Sequence, residues 1–177
     1  IEICEAENYE LKLQEMPQSE VKDYEQTIEN KYGALVSNCF ILPSKLLTSP
    51  QNNLREFSNK LVLYEKIKRE IEFFESDNDI DSPELGSFLS KSKPLTVILA
   101  MKHADASQKR ELGEIYIQRV IDPKNIKTIK DLCVKIDSVN KIKNLANDYK
   151  NHSLNMMNDL GFDDSEKNRI FEIIENI

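Results

Sequence analysis

The sequence predicts an all-α protein built as one bundle of helices, and three observations predict this fold class. Apolar residues recur at spacings of three and four over most of the chain, which places them on one face of an α-helix. The 177 residues include only 4 Gly and 6 Pro, so the turn residues that a sheet protein needs are few. No period of roughly 20 to 50 residues repeats, which favours a single bundle over a solenoid.

In the N-terminal part, the apolar spacing predicts three elements. Ser19 is expected to be the N-cap of the second, because a serine side chain can accept a hydrogen bond from the free N–H groups of the first turn. The third is rich in small and apolar residues, which predicts a helix buried on most sides, and Pro43 is expected to kink it. The predicted ranges are 2–14, 19–31 and 32–47.

The C-terminal part begins with the longest predicted helix, over residues 51–75, in which seven apolar residues recur at helical spacing. Residues 76–83 are rich in Asp, Asn, Ser and Pro and are predicted to form a loop. Gly161 is expected at the position that follows a helix C-terminus, and Asp163 opens a segment expected to cap the last helix. The remaining helices are predicted over 94–103, 107–120, 126–136, 138–160 and from 165 onward.

Charge and cysteine content exclude several functions. The formal charge of −7 argues against a nucleic-acid surface, since such surfaces depend on clustered cations that neutralise phosphates. No segment approaches the roughly 20 apolar residues of a membrane span, so no transmembrane segment is expected. The cysteines at 4, 39 and 133 form no CxxC pair, which indicates neither a zinc site nor a disulfide framework. We expect all three to be small core residues in a cytoplasmic protein.

Four short motifs follow one another in an informative order. Glu10-Leu11 lies on the first predicted helix, and Lys31-Tyr32-Gly33-Ala34-Leu35 lies at a helix boundary. An acidic and basic stretch at residues 65–73 is on the longest helix, and Ser92-Lys93-Pro94-Leu95-Thr96 precedes the next apolar helix. In order and spacing these motifs resemble the back half of a trans-isoprenyl diphosphate synthase, and the likeness covers nearly the whole chain in helix order.

The likeness is incomplete at each motif. The family's Lys-Thr-x-x-Leu motif retains Lys31 but has lost its threonine, and the Gly-Lys-x-Thr-Leu-Pro motif retains Lys93. The family's Phe-Gln-x-x-Asp-Asp-x-x-Asp motif falls on residues 65–73. There Arg69 and Phe73 stand where the outer aspartates would be, and Glu70 is the only acid in register.

The resemblance implies a helical bundle of the isoprenoid synthase type, with residues 1–177 as a single domain and the C-terminal portion of a longer bundle. It implies that Lys31 and Lys93 bind the diphosphate of an allylic isoprenyl diphosphate and that Glu70 binds Mg²⁺. It names no catalytic residue on this chain. Prenyl-modifying enzymes of bacterial competence-pheromone systems are similar in retaining the first lysine, which implies a peptide acceptor. Family members are commonly homodimers, so a homodimer is expected.

Three interpretations stay open from the sequence. The chain is part of a divergent prenyltransferase, a non-catalytic subunit that has lost its metals, or a helical scaffold. The scaffold interpretation expects an exposed apolar stripe on the last helix, formed by Ile170, Ile173, Ile174 and Ile177. Each site residue also has an ordinary structural interpretation, because Lys31 and Lys93 can be solvated surface lysines and Glu70 can pair with Lys66 one turn away. The aromatic residues at helical spacing are expected to form core.

Overall fold

The computed structural model of the protein describes residues 1–16, 18–46, 53–76 and 83–175. Within these ranges all regular structure is helical, which confirms the predicted all-α fold class. A short π-helical segment, Glu29–Gly33, joins the second and third helices without a break. The α-helices are α1 Glu2–Glu15, α2 Val21–Ile28, α3 Ala34–Leu46, α4 Leu54–Glu75, α5 Pro83–Leu89, α6 Leu95–His103, α7 Ala106–Tyr116, α8 Asn125–Lys135, α9 Ser138–Asp159 and α10 Asp164–Glu175.

Helix α4 is the centre of the bundle. It packs most extensively against α9 and also contacts α2, α3, α5 and α6. Its apolar residues enter three buried clusters in turn along its length. These residues are Phe57 and Leu61 in one cluster, Tyr64 and Ile67 in the next, and Phe73 and Phe74 in the third. The aromatic residues at helical spacing on α4 are therefore packed in the core, as the sequence predicts.

The second helix begins one residue later than predicted. Glu20, rather than Ser19, is the N-cap of α2, because Glu20 and Asp23 exchange the two hydrogen bonds of a capping box. A box of this kind satisfies two free N–H groups at once, which a serine without an acidic partner at the right distance cannot do. The Ser19 hydroxyl is left without a hydrogen-bond partner among the described residues.

Helix α3 is less buried than its composition suggests. Leu35 is 53% exposed and Leu42 is 60% exposed, and Cys39 between them is also exposed. These three residues lie one and two turns apart, so they form one solvent-facing stripe. The prediction of burial on most sides is wrong because, within the described ranges, α3 packs chiefly against the π-helical segment and α4. Pro43 lies within α3, and the helix continues to Leu46.

Two boundaries near the middle of the chain also differ from the sequence prediction. Pro83 starts helix α5, which the sequence did not predict, because a seven-residue helix is too short to show a period. Proline is well suited to the first helical position, where its missing N–H has no partner to lose. Helix α7 ends at Tyr116, four residues before the predicted end, and Ile117 beyond it is 84% exposed. The predicted loop residues 77–82 lie outside the described ranges.

The C-terminal helices follow the sequence prediction closely. Gly161 has a φ of +82° after α9, and Asp163 and Glu166 form the expected capping box before α10. Ile170 and Ile174 pack against the cluster that contains Phe57. The expected exposed stripe on this helix is therefore partly buried. Ile173 alone of the described members is half-exposed, and Ile177 lies outside the described ranges.

The cysteines divide between core and surface. Cys133 is buried, whereas Cys4 and Cys39 are exposed. The prediction that all three are core residues is wrong for these two, because they lie on the outward faces of α1 and α3. Among the described residues, no helix combines the length and the apolar character needed to cross a lipid bilayer.

Candidate functional site

Lys31 lies in the π-helical segment between α2 and α3, where the helix winding changes. Its Nζ is 2.8 Å from Glu7 Oε1 and 2.9 Å from Glu10 Oε2, both on α1. The Lys31 side chain is 19% exposed. Partial burial opposes the lysine charge, but the hydrogen bonds with the two glutamates outweigh it and raise the pKa of Lys31. The Lys31 ammonium is therefore charged at neutral pH, and it faces α1.

A second lysine joins Lys31 around one aromatic ring. The Tyr32 ring has Lys31 Nζ 5.4 Å from its centroid and Lys66 Nζ 4.3 Å from it. Both ammonium groups lie within 5.4 Å of the Tyr32 ring centroid, and the carboxylates of Glu7 and Glu10 beside Lys31 offset their positive charge. We call Lys31, Tyr32 and Lys66, with Glu7 and Glu10 of α1, the Lys31 site.

The glycine of the Lys31 motif allows α4 to approach the Lys31 site. A Cβ on Gly33 would lie 3.1 Å from Asn59 Cγ and closer still to Asn59 Oδ1. A side chain at position 33 would push against α4, which also supplies Lys66. Gly33 therefore allows the close packing that brings Lys66 to the Tyr32 ring.

Lys93 approaches the same helix α1 but at its C-terminal end. Its Nζ donates hydrogen bonds to the carbonyl oxygens of Leu13, at 2.6 Å, and Met16. Positive side chains commonly bind the free carbonyls of a helix C-terminus in this way. Burial, together with the nearby charge of Lys91, lowers the pKa of Lys93.

The two predicted lysines are connected through α1 rather than through one cavity. Glu10 binds Lys31 with one carboxylate oxygen, and its other oxygen is 3.5 Å from the hydroxyl of Ser92, next to Lys93. Lys93 lines a groove of about 690 Å³. Lys31 is absent from the described lining of that groove.

Glu70 is buried against the N-terminus of α6. Its carboxylate accepts hydrogen bonds from Leu95 N at 3.0 Å, from Thr96 N and from the Thr96 hydroxyl. The Tyr24 side chain hydrogen-bonds to it as well. Because the first N–H groups of a helix have no partner inside the helix, Glu70 acts as the acceptor that α6 lacks locally.

Burial and hydrogen bonding act on Glu70 in opposite directions. Burial raises the pKa of Glu70 above its ordinary value, and the hydrogen bonds from Thr96, Leu95 and Tyr24 only partly offset that rise. Both carboxylate oxygens are occupied by α6 donors. The alternative pairing with Lys66 is not formed, since Lys66 lies over Tyr32.

At the two positions where the family's motif has its outer aspartates, this chain has Arg69 and Phe73, neither of which is acidic. Arg69 pairs with Glu65 one turn back on α4, and this hydrogen bond raises the pKa of Arg69. Phe73 is a core residue packed against Phe74 and Phe88. Over the described residues, no group of three or more His, Cys, Asp and Glu side chains is arranged to hold a metal ion. The described residues therefore do not fit a magnesium cluster.

Comparison with solved structures identifies the fold. The chain superposes on geranylgeranyl pyrophosphate synthase from Lactobacillus brevis with a TM-score of 0.79 at 19% identity, covering 99% of this chain and 53% of that one. Heptaprenyl diphosphate synthase from Staphylococcus aureus gives 0.78 at 17% identity, covering 98% and 55%. The geranylgeranyl pyrophosphate synthetase of Pyrococcus horikoshii gives 0.77 at 16% identity, covering 99% and 55%.

These likenesses define the class of fold, which is the all-α isoprenoid synthase fold that the sequence predicts. The chain spans about half the length of the solved proteins that it matches. No family model and no curated protein matches the sequence. At identities of this size the superposition establishes the fold.

Sequence reasoning missed two parts of the site. Nothing in the sequence links Lys66 with Tyr32, because 34 positions separate them and only the packing of α4 against the π-helical segment brings them together. The role of Glu70 did leave a signal. Helix α6 starts at Leu95 after Pro94, with no local side-chain cap, so its N–H groups require an acceptor from another helix.

Proposed function

We propose that this chain is the C-terminal half of a divergent isoprenyl diphosphate synthase or prenyltransferase, and that it binds an allylic isoprenyl diphosphate at the Lys31 site. The observation that carries the proposal is the pair of ammonium groups of Lys31 and Lys66 on the Tyr32 ring. The fold supports it, since the solved proteins of this shape are isoprenyl diphosphate synthases by name.

The ammonium of Lys31 has a donor left for a phosphate oxygen. A lysine ammonium carries three N–H donors, and Glu7 and Glu10 take one each. Glu7 is 51% exposed and can turn into solvent, which would release a second donor to a bound diphosphate. Lys66 lies at the same ring and adds a second positive charge. Lysine binds phosphate as a point charge, so the exact direction of approach is not critical.

Turnover needs more than this chain supplies in its described residues. Ionisation of an allylic diphosphate leaves about three negative charges on the leaving group, and metal ions with cationic side chains must stabilise them. Magnesium, if used, would be brought by the diphosphate itself and held by acidic residues of the other half of the proposed enzyme, outside residues 1–177. Two assignments remain predictions, that of Glu70 to magnesium and that of Lys93 to the diphosphate. Each would require the side chain to leave its present hydrogen-bond partners.

A second candidate function is a non-catalytic subunit of the same fold. Arg69 and Phe73 favour it, because an arginine and a core phenylalanine cannot ligate magnesium. The exposed stripe of Leu35, Cys39 and Leu42 on α3 offers an apolar surface to a partner chain. The homodimer, the cytoplasmic location and the peptide acceptor stay predictions.

Replacement of Lys31 by alanine tests the proposed binding site. We expect the affinity of the full-length protein for farnesyl thiodiphosphate, a non-ionising analogue, to fall about tenfold or more, because a charged hydrogen bond to the diphosphate contributes about 1.5–3 kcal/mol. Isothermal titration calorimetry with and without Mg²⁺ measures this change. If added Mg²⁺ strengthens binding and the ionisable substrate is turned over, the result favours the prenyltransferase. Binding without turnover favours the non-catalytic subunit.

Lys60 offers a matched control for Lys31. Its side chain is 23% exposed, its Nζ is 3.2 Å from Glu29, and it lies 5.5 Å from the centre of the Tyr149 ring. The two lysines thus have the same kind of neighbours, a carboxylate and a tyrosine ring. Lys60→Ala should leave the affinity for the analogue unchanged. Equal losses for Lys31→Ala and Lys60→Ala would overturn the proposal, since a general loss of charge or stability would then explain both.

A further inference from the structure

The short connection between α7 and α8 carries two aliphatic side chains outward. Its four residues, 117–120, are all exposed, with Ile117 at 84% and Val120 at 61%. The residues on either side, Tyr116 and Ile121, are buried in the same core cluster. The Ile121 N–H also donates a hydrogen bond to a carbonyl oxygen of α5 at 3.2 Å. The core therefore fixes both ends of the connection while its aliphatic side chains face solvent.

This exposed pair has no role in the packing of the bundle. Ile117 and Val120 are absent from the buried clusters and lie beyond the last residue of α7. Single aliphatic residues on a surface need no explanation, but neighbouring ones mark a surface that contacts a protein or a membrane. The connection therefore indicates a contact with something outside the bundle.

The part of the chain that contains this connection is basic, although the whole chain is acidic. Residues 91–135 contain 10 Lys and Arg against 5 Asp and Glu, whereas the whole chain contains 24 against 31. An asymmetry of this kind indicates contact with an anionic surface. The charge also lies close to the aliphatic pair, since Arg119 stands between its members and Lys124 and Lys127 follow at the start of α8.

The three basic side chains beside the aliphatic pair are available to an external anion. Arg119, Lys124 and Lys127 are exposed, and none of them forms an ion pair with a described residue. Asp122 is the only acid within residues 117–127. Its Oδ1 accepts a hydrogen bond from the backbone N–H of Lys124 at 3.0 Å, in the turn that leads into α8. Asp122 therefore lowers the local positive charge without cancelling it.

The shape of this surface favours a membrane as the partner. A bilayer interface accepts a protruding segment, because aliphatic side chains enter the headgroup region while neighbouring cations contact anionic headgroups. A helical protein partner would instead need a groove that covers its apolar face. All four residues of the connection are exposed, so the connection itself forms no such groove.

We propose that this surface docks the protein on an anionic membrane. The aliphatic pair enters the headgroup region, and the three basic side chains contact anionic lipid headgroups. The contact is peripheral, and it does not rest on the function proposed above, since none of its residues belongs to the Lys31 site. We call the surface the α7–α8 patch, and it consists of Ile117, Arg119, Val120, Lys124 and Lys127.

Co-sedimentation of the full-length protein with lipid vesicles tests the proposal. We expect binding to vesicles with about one third phosphatidylglycerol to exceed binding to pure phosphatidylcholine vesicles by about tenfold or more, because each cation near an anionic surface contributes about fivefold. Salt at about 0.5 M should weaken the binding, since it screens exposed charges. Equal binding to both kinds of vesicle, or binding to neither, would overturn the proposal.

The aliphatic pair has a matched control on α8. Val134 is 62% exposed, against 61% for Val120, and lies near the far end of that helix. Val120→Ser should weaken binding to anionic vesicles severalfold, and Ile117→Ser/Val120→Ser about tenfold. Val134→Ser should leave binding unchanged. All these variants replace exposed side chains, so their melting temperatures should stay close to that of the wild type. Equal binding by Val120→Ser and Val134→Ser would contradict the patch.

Charge variants separate the patch from net charge. Arg119→Ala/Lys124→Ala should weaken binding to anionic vesicles by about tenfold or more, because two cations leave the membrane surface. The control is Lys12→Ala/Lys22→Ala, which removes the same charge at exposed residues of α1 and α2. An equal loss in both double variants would mean that only net charge matters and would contradict the patch.

A tryptophan reports insertion directly. The 177 residues contain no Trp, so Val120→Trp and Val134→Trp each place one indole in this chain. The emission of Val120→Trp should shift to shorter wavelength when anionic vesicles are added, because the ring leaves water for the membrane interface. The emission of Val134→Trp should not shift. A Val120→Trp protein that sediments with the vesicles without a shift would contradict insertion of the connection.

Two soluble competitors distinguish the membrane from other partners. Polyglutamate that binds as tightly as the anionic vesicles would identify an acidic protein as the partner and would overturn the proposal. Vesicle binding should persist in saturating farnesyl thiodiphosphate and in Lys31→Ala. Its loss in either case would mean that lipid occupies the Lys31 site, and this would overturn the α7–α8 patch without contradicting the function proposed above.

Discussion

Replacing Glu70 with alanine is expected to lower the free energy of unfolding by about 3 kcal/mol. The substitution removes the acceptor of the Leu95 and Thr96 N–H groups and of the Thr96 hydroxyl, all buried. Each buried donor left without a partner costs about 1–3 kcal/mol. Removal of a buried charge offsets part of this sum. Chemical denaturation followed by circular dichroism measures the change.

Glu72 on the same helix provides the control for Glu70. Its side chain is 63% exposed and it pairs loosely with Lys68 at 3.9 Å. Exposed pairs of this kind contribute about 0–1 kcal/mol, so Glu72→Ala should change the free energy of unfolding little. A loss for Glu70→Ala no larger than that for Glu72→Ala would contradict the role of Glu70 as the acceptor for α6.

The pH dependence of stability should also reveal Glu70. Its pKa is raised in the folded protein, chiefly by burial. An unfolded glutamate has a pKa of about 4.3, so as the pH rises above that value the unfolded state releases its proton first. Ionisation then favours the unfolded state, and the contribution of Glu70 to stability falls until the pH has passed the folded pKa.

The glutamine variant isolates this contribution. We expect the free energy of unfolding of the wild type, minus that of Glu70→Gln, to decrease as the pH rises from about 4.3 upward. Taking the difference removes the titration of the other acids, which is shared by both proteins. A difference that is constant with pH would show that the hydrogen bonds fully offset burial at Glu70, and one that increases would show that they outweigh it; either result would contradict the raised pKa.

Helix positions could be predicted from the sequence because burial in a bundle imposes its period on the chain. The period is clear over α4 and α9, each 22 residues long, and it is absent over the seven residues of α5. Burial itself was less predictable. The composition of α3 does not reveal whether a neighbouring helix covers Leu35 and Leu42. The sequence therefore could not indicate their exposure.

The site could be predicted only in part, for a physical reason. Lys31 was singled out because its motif, Lys31-Tyr32-Gly33-Ala34-Leu35, resembles the Lys-Thr-x-x-Leu motif of trans-isoprenyl diphosphate synthases, and its binding role stays a prediction. The partners of Lys31 on α1 and the approach of Lys66 come from packing between distant segments, which no local pattern encodes. Glu70 shows the same limit. Its assignment to a metal stays a prediction, and its contacts with the start of α6 again come from packing between distant segments.

Replacing Phe57 with alanine is expected to lower the free energy of unfolding by about 4 kcal/mol. Phe57 is fully buried in the first turn of α4. Its ring centre is 5.3 Å from that of Phe40 on α3 and 6.1 Å from that of Phe162 before α10. The substitution would remove ring contacts to α3 and to the segment before α10 and leave a cavity, and phenylalanine-to-alanine changes of this kind cost about 3–5 kcal/mol. Urea denaturation measures the loss.

The Phe57 variant also tests whether the bundle core and the Lys31 site are independent. Nine residues of α4 separate Phe57 from Lys66, about 14 Å along the helix axis, so the folded variant should bind farnesyl thiodiphosphate as the wild type does. Ile173→Ala, at a residue 51% exposed on α10, is the control and should cost far less stability. Equal losses for the two variants would mean that the cluster around Phe57 is not packed as described. A loss of affinity in the folded Phe57 variant would mean that α4 transmits strain from this cluster to the Lys31 site.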